Sequence, residues 1–426
     1  ILVTGEINGK NESDFTSGDI IVENCYVENY SRVADGGLKG DGPNFGVIGT
    51  GITVQKVKHI SVINNKVVQK DRLSSDVGVN MTAGGIEILS CYYGAVSGNT
   101  VAGAGQGIVL GGAPSKGNTS ANSILYGCHY LIADRNKISN CYFAGISLSD
   151  NSGANFLTGN TVEKAGLAGI WLKSPTAAVK GILKNNVIAN NEVRETGAGI
   201  GALMYDPDGK VTAIALDIAP EKSQTSTGNA IVLNIISSAA KNMRFGVSDF
   251  GIYPGSGFTG ENNLLMNNSS ADAYGKNILI TGKTNTQNLK LHTASFNDTS
   301  VKGYPDAPVV DNGDGNKRYE YKNRLGDSLS LDFGGSDGVT NMGGFSPALK
   351  IFENSNMISC LISADGGKKV YDIFSTTGSS FSEVLQYYQK NTDKLGVTRV
   401  VRTEVSAIML GTKDNTVTAI EIYEIN

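Results

Sequence analysis

Hydrophobic and polar positions alternate along most of this chain with a period of two, in short bursts rather than helical stripes. The clearest burst is a Gly-Ile-x-(Val/Ile/Leu) unit: Gly51-Ile52-Thr53-Val54, Gly85-Ile86-Glu87-Ile88, Gly107-Ile108-Val109-Leu110, Gly145-Ile146-Ser147-Leu148, Gly169-Ile170-Trp171-Leu172 and, more weakly, Gly199-Ile200-Gly201-Ala202. A second unit is an Asn followed two residues later by a β-branched residue: Asn65-Lys66-Val67, Asn99-Thr100-Val101, Asn136-Lys137-Ile138, Asn160-Thr161-Val162 and Asn191-Glu192-Val193. From Asn99, Asn136, Asn160 and Asn191 to the isoleucine of the next Gly-Ile unit the step is 9, 10, 10 and 9 residues. Two signatures locked in phase predict a repeated coil of short strands with Gly and Asn corners.

One such coil cannot bury its own apolar face, whereas stacked coils bury a continuous one. The pattern therefore predicts an all-β fold, a parallel β-helix, with the isoleucines inward and the residue between them outward. A β-sandwich would not hold a fixed cycle length. Asn suits a corner because it tolerates the left-handed backbone region and its amide bonds to the Asn one coil above and below. Strand character at 19–24 and 26–29 starts the solenoid. It continues less regularly to about 300, through units at 230–233, 245–247, 251–253, 263–265 and 277–280. Corners at 70–84, 111–123, 174–184 and 205–228 are too long for tight turns and are expected on one side of the solenoid, as walls of a binding face.

The expected organisation is a β-helix over 1–300, a polar, turn-rich linker or edge loop over 301–327, and a small C-terminal β-rich domain over 328–426. In that domain a capping box, Ser380-Phe381-Ser382-Glu383, opens one short helix over 384–391, and two alternating strands follow at 397–409 and 416–425.

Composition agrees with a solenoid: glycine is 54 of 426 residues and proline only 9. A net charge of −4 leaves no electrostatic footprint for nucleic acid. No apolar run approaches ~20 residues, so no membrane span is predicted. The chain opens Ile1-Leu2-Val3-Thr4-Gly5, without Met, basic flank or long apolar core, and reads as the inside of a longer protein. Cys25, Cys91, Cys128, Cys141 and Cys360 are odd in number and form no CxxC pair, so packing is expected of them rather than disulfides. His59, His129 and His292 lack ligand spacing, and 311–316 lacks the closing Glu of a calcium loop. Neither metal nor cofactor is expected.

Outward positions of such a sheet form a ladder with rungs about 4.8 Å apart. The first column is Glu87, Val109, Ser147, Trp171 and Gly201; the next is Leu89, Gly111, Ser149, Lys173 and Leu203. Just past the strands lie Tyr92, Tyr93, Asp150, Tyr205 and Asp206. An outward Trp171 beside Lys173, between Asp150 and Tyr205-Asp206, makes a sugar-stacking platform, with Tyr92, Tyr93 and Tyr205 as further stacking rings and Lys173 facing an acidic glycan. Glycoside hydrolysis needs two carboxyl groups, at about 5–5.5 Å for retention or about 6.5–9.5 Å for inversion. Asp150 and Asp206, two rungs and roughly 9–10 Å apart, suit the second case as acid and base. Glu87, read as three rungs and roughly 14 Å from Asp150, is too far to pair with it within one chain. Glu195 sits one rung away, on the approach to the strand.

The locked coils, for example Leu157-Thr158-Gly159-Asn160-Thr161-Val162 and Ala168-Gly169-Ile170-Trp171-Leu172, together with the distinct C-terminal module, resemble bacteriophage tailspike and capsular polysaccharide depolymerases. These share a pectin-lyase-like right-handed β-helix with many secreted polysaccharide enzymes. The likeness covers about residues 15–300. It implies a homotrimer carried on a phage tail through a preceding N-terminal region, acting extracellularly as part of the virion. It also implies cleavage of a bacterial capsular or O-antigen polysaccharide, with Glu87 able to meet an acid of a neighbouring chain. Pectate lyases would add calcium-binding Asp clusters and a catalytic Arg on the sheet, and this ladder carries neither. The leading function is an endo-glycosidase. The alternatives are a polysaccharide lyase, in which Lys173 or a Tyr abstracts a proton α to a uronate carboxyl group, and a non-enzymatic glycan-binding adhesin.

Overall fold

The computed structural model describes residues 1–9, 11–30, 32–33, 47–70, 84–113, 125–173 and 183–198, strands and a few corner residues between 212 and 365, and 368–424 except 414 and 415. Two compact units emerge, one of residues 1–284 and 291–302, the other of 285–290 and 303–426.

The first unit is a parallel β-helix. Each coil gives one strand to each of three parallel sheets, here called faces one, two and three, which hold ten, nine and eight strands among the described residues. The second coil runs through Ile52–Gln55, Lys58–Ile63 and Lys66–Val68, and the third through Gly84–Leu89, Tyr92–Ser97 and Thr100–Ala102. The fourth comprises Gln106–Gly111, His129–Asp134 and Lys137–Ser139; the fifth Ala144–Leu148, Phe156–Thr158 and Thr161–Glu163. The sixth comprises Ala168–Lys173, Val187–Ala189 and Glu192–Arg194; the seventh Thr212–Asp217, Ala230–Val232 and Ile235–Ser237. Ile52, Ile86, Ile108, Ile146, Ile170 and Ile214 stack in register up face one, and all are fully buried. Burying one such side chain contributes about 1.5–3 kcal/mol, so the column is a spine of the fold.

The interior explains why the two sequence signatures keep phase. A methyl group at Gly51, Gly85, Gly107 or Gly145 would collide with Val67, Val101, Ile138 or Val162 of the same coil. The glycine before each of these four isoleucines is therefore the cavity for the β-branched residue of face three.

Between faces two and three the chain uses two residues in each of the first eight coils: for instance Asn64-Asn65, Gly98-Asn99, Arg135-Asn136, Gly159-Asn160 and Asn190-Asn191. The first of each pair is left-handed, with φ of 51–63° at these five positions, and the second points its amide inward. Left-handed backbone thus belongs to the residue before the ladder Asn, not to the Asn as expected. The expected amide ladder itself is present. Asn65, Asn99, Asn136, Asn160, Asn191 and Asn234 are linked amide to amide at 2.9–3.0 Å, and each donates a second bond to a carbonyl of the preceding coil. A second ladder, Asn155, Asn186 and Asn229, lines the start of face two.

The corners bounding face one vary. Leaving it, the chain takes two residues in coils two and three but seventeen, 112–128, in coil four. Entering it, the chain takes three residues, 103–105, before coil four but seventeen, 195–211, before coil seven. The long segments expected on one side of the solenoid thus flank face one at both margins. The face-one strand after Ala168–Lys173 is Thr212–Asp217, so the register partners of Trp171 and Lys173 on that rung are Ala215 and Asp217 rather than Gly201 and Leu203.

In the second unit a five-stranded and a three-stranded antiparallel sheet occur. The stretch 301–327, expected to be a linker or edge loop, carries Val309–Asp311 and Lys317–Lys322 of the former. The helix spans Phe381–Gln389 and is capped by Ser380 and Glu383 as a reciprocal box. One further turn, Thr392–Leu395, follows it. The expected strand 397–409 is two, Val397–Arg402 and Ser406–Lys413, folded back at Thr403 to Val405, with Thr416–Tyr423 pairing next.

Candidate functional site

Asp150 stands where coil five leaves face one. It is a non-glycine residue in the left-handed region, φ 62°, which Asp tolerates better than most. Its Oδ2 accepts a bond from the Gly112 N–H at 2.7 Å and another from the Ser149 hydroxyl at 2.9 Å. Gly112 belongs to coil four, so the carboxylate leans one coil back. The bare Gly111-Gly112 backbone makes room: a Cβ on Gly111 would meet Ser149 Oγ at 2.6 Å, and one on Gly112 would meet the Tyr126 ring. Burial pushes the Asp150 carboxyl above its ordinary range, opposed by the Gly112 N–H, the Ser149 hydroxyl and the charge of Lys173. Tyr126, which sequence reasoning passed over, is pushed up by burial and by the Asp150 charge. Its only signal was its place in the long segment that follows a face-one strand.

Lys173 occupies the same outward column as Ser149, one coil on, and Asp217 is its register partner one coil further. Backbones two rungs apart are roughly 9–10 Å apart along the axis. Asp217 was missed because Gly199-Ile200 imitates the strand signature and drew the rung out of place. Tyr205 and Asp206 lie outside the described residues. Chain order puts them ahead of a face-one strand rather than past one, so the spacing that paired Asp206 with Asp150 lapses.

Trp171 was expected to be exposed. Its residue alternates outward, yet it is 0 % exposed, packed with Phe143, Ala144, Leu167 and Ala168. Its ring lies 4.9 Å from that of Phe143, and Lys173 Nζ sits 5.1 Å from its centroid. A ring so enclosed offers no face to a sugar. Tyr92 and Tyr93, 3 % and 5 % exposed, are also no open platform. They begin face two, in a cluster with Phe15, His59, His129 and Tyr130. There Tyr93 stacks on Tyr130 at 5.0 Å and donates its hydroxyl to Glu12 at 2.8 Å.

Glu87 lies two rungs from Asp150 by register, Glu87 to Val109 to Ser147, not three. Its side chain turns away from that corner, however. Oε1 accepts from the Gly84 N–H at 2.8 Å at the incoming end of the same strand, and burial raises its pKa against that bond and the Thr50 hydroxyl. Glu195 also sits at an incoming corner, left-handed at φ 46°, with Lys164 3.5 Å from its carboxylate. A six-residue strand is roughly 20 Å long, so neither acid joins Asp150. Cys91 and Cys128 are free and buried, their thiols on the carbonyls of Val54 and Ile88, as packing predicts. Among the described residues no group of three or more potential ligands could hold a metal ion.

Residues 84–214 match the family described as a right handed beta helix region, which sets the hand of the solenoid. A sequence search of curated proteins finds no match. Among solved structures, the chain is similar to the Agl-KA catalytic domain, at 9 % identity and a TM-score of 0.34 over 63 % of this chain and 46 % of that one. It is similar to a tailspike protein mutant of E. coli bacteriophage HK620 in complex with a pentasaccharide, at 14 % identity and a TM-score of 0.33 over 63 % and 47 %. It is also similar to an alginate lyase from Paenibacillus sp. str. FPU-7, at 12 % identity and a TM-score of 0.29 over 54 % and 84 %. The chain spans under half the length of the first two.

Proposed function

We propose that this chain is a tailspike-type depolymerase, hydrolysing a bacterial capsular or O-antigen polysaccharide at the outgoing margin of face one. The observation that carries the reading is Asp150: a carboxylate held by two donors beside a cation, on the one face whose margins take the long segments. Burial raises its proton affinity while the two donors oppose that rise, which suits a base that draws a proton from water as the water attacks the anomeric carbon. We assign the second carboxyl group to Asp217 from backbone register, two rungs away. It gives its proton to the glycosidic oxygen as that bond breaks. The rung spacing suits an inverting geometry, with room for water between the acids. Lys173 serves as a cation on Trp171, which favours hydrolysis over elimination by a lysine base. On the same reading the chain works as a homotrimer on a phage tail at the bacterial surface.

The test is incubation with a panel of purified bacterial surface polysaccharides, followed by size-exclusion and mass spectrometry. Oligosaccharides of repeat length, each carrying one added water, support the reading. Unsaturated products with no added water would replace it with a lyase. Intact polymer retained on immobilised protein would replace it with an adhesin.

A further inference from the structure

Where face two begins, one backbone position is left-handed in six successive coils: Asp19, His59, Tyr93, Tyr130, Ala154 and Asn185, with φ of 52–58°. The residues just before them, Gly18, Lys58, Tyr92, His129, Gly153 and Lys184, pair coil to coil, so the six stand in one column. Gly and Asn adopt this conformation most readily, and a bulky residue there is an outlier. Coils two, three and four nevertheless each place a ring at it. Tyr93 lies between His59, with ring centroids 5.8 Å apart, and Tyr130, 5.0 Å away and within 4° of parallel. The second separation matches a rung of about 4.8 Å, so these rings stack along the solenoid and Tyr130 turns its far face toward coil five. There the column loses its ring. Ala154 carries only a methyl group, and a Cβ on its neighbour Gly153 would press on the Lys184 carbonyl at 2.9 Å and the His129 ring at 3.3 Å. Tyr93 is buried, whereas Tyr130 and Ala154 are part-exposed and Asn185 is exposed. The backbones of Tyr130 and Asn185 stand two rungs apart, roughly 9–10 Å. Between a phenol face and an amide there is thus a step one rung deep, with a Gly-Ala floor. It adjoins the Asp150 corner: Asp150 holds the Gly112 N–H at one end of the segment 112–128, and the Cys128 carbonyl at the other end accepts the Gly153 N–H at 2.9 Å. Ala154 follows Asp150 by four positions, a reach of at most about 14 Å.

We propose that this step is a sugar-stacking subsite: one pyranose ring of the bound polysaccharide lies on the far face of Tyr130, over Ala154, with Asn185 in reach of its hydroxyls. A pyranose offers an apolar C–H face to an aromatic ring and polar edges to an amide, and the step presents both. The rings behind it hold Tyr130 in place, and Tyr93 is itself tied through its hydroxyl to Glu12 at 2.8 Å. Tyr93 is therefore a support, and the last ring of the column is the platform. The subsite rests on the depolymerase reading for its polymer and extends it. The glycan is gripped on face two, away from the bond that is cut, at a sugar that needs no charge.

The experiment compares the wild type, Tyr130→Ala, Tyr130→Phe and Ala154→Tyr by binding to immobilised protein and by kcat and KM, on the panel polysaccharide that the wild type retains or cleaves. Ala154→Tyr extends the ring column into the step, at a backbone position that already holds tyrosine in two coils. It is expected to keep its melting temperature and to weaken binding about tenfold, the effect of losing one stacked ring. Tyr130→Ala is expected to raise KM by a similar factor with kcat nearly constant, and Tyr130→Phe to bind as the wild type does. Wild-type affinity in Ala154→Tyr overturns the subsite, as does a Tyr130→Ala variant that loses stability but not affinity. Where Tyr130→Ala fails to fold, Ala154→Tyr decides alone. A wild type that retains polymer without cleaving it defeats the hydrolytic reading, and the same binding comparison still decides the subsite. Cleavage with an unchanged KM in Ala154→Tyr defeats the subsite and leaves hydrolysis standing. Neither retention nor cleavage of any panel member overturns both.

Discussion

The corner between faces two and three and the corners beside face one are built from one repeat under opposite rules. The first is two residues long in eight successive coils and, from coil two to coil seven, filled by a continuous row of six amides. The others range from two residues to twenty-three, 29–51 before coil two, and carry Asp150 at the edge of a glycine gap. An inserted residue at the first corner would break the amide row at both neighbours. At the second it lengthens a loop, and loop length costs little: each doubling adds only about 0.6 kcal/mol of closure entropy. Stability is concentrated where length is fixed, and the proposed chemistry lies where length is free.

The largest expected effect breaks the comparison on the chemical side. Asp150→Asn should lower kcat by roughly 10²–10⁴-fold while leaving the melting temperature unchanged, measured by release of reducing ends and by calorimetry. A matching loss of Tm would mean that the corner is structural after all. Next comes Trp171→Ala. As a buried ring it should cost about 3–5 kcal/mol in denaturant unfolding, whereas an exposed sugar platform would cost almost nothing. Asn136→Ala attacks the constant corner. It strips the acceptor from the Asn99 backbone N–H and amide and the donor from the Val96 carbonyl, all buried, at a cost of about 2–3 kcal/mol. Turnover of the folded fraction should be unaffected.

The smallest effect concerns the incoming margin. Burial raises the Glu87 carboxyl, so charging it is harder in the folded protein than in the unfolded chain. At low pH both states are neutral and nothing is lost. As pH rises through the ordinary carboxylate range toward the raised folded value, stability falls. Glu87→Gln keeps an acceptor for the Gly84 N–H without the charge. It should leave Tm unchanged in acid and raise it by a degree or two near neutrality. A gain independent of pH would rule out the charge as its cause.

Most of the fold was legible because its signatures report interior contacts: Gly85 is small for Val101, and Asn99 is an amide for Asn65 and Asn136. Such contacts recur every coil and so leave a period. The site recurs nowhere and leaves none. Alternation placed Trp171 outward correctly, but alternation says nothing of what covers an outward residue, and Phe143 and Leu167 come from the incoming corners of two coils. Asp217 was hidden because its strand reads Thr-Ala-Ile-Ala-Leu-Asp, without the Gly-Ile mark, after a seventeen-residue gap in which a false Gly-Ile occurs. The reversal at Thr403 to Val405 carries neither Gly nor Pro, the usual punctuation of a turn.

The amide row also has a direction. At each rung the backbone N–H and the side-chain amide of one Asn are received by the carboxamide oxygen of the Asn that comes later in the chain. Each inner coil is thus closed on both sides by its neighbours, and a coil at either end of the row lacks one half of the pairing. The row is therefore polar along the solenoid: every coil turns the same pair of donors toward the carboxyl end and the same acceptor toward the amino end.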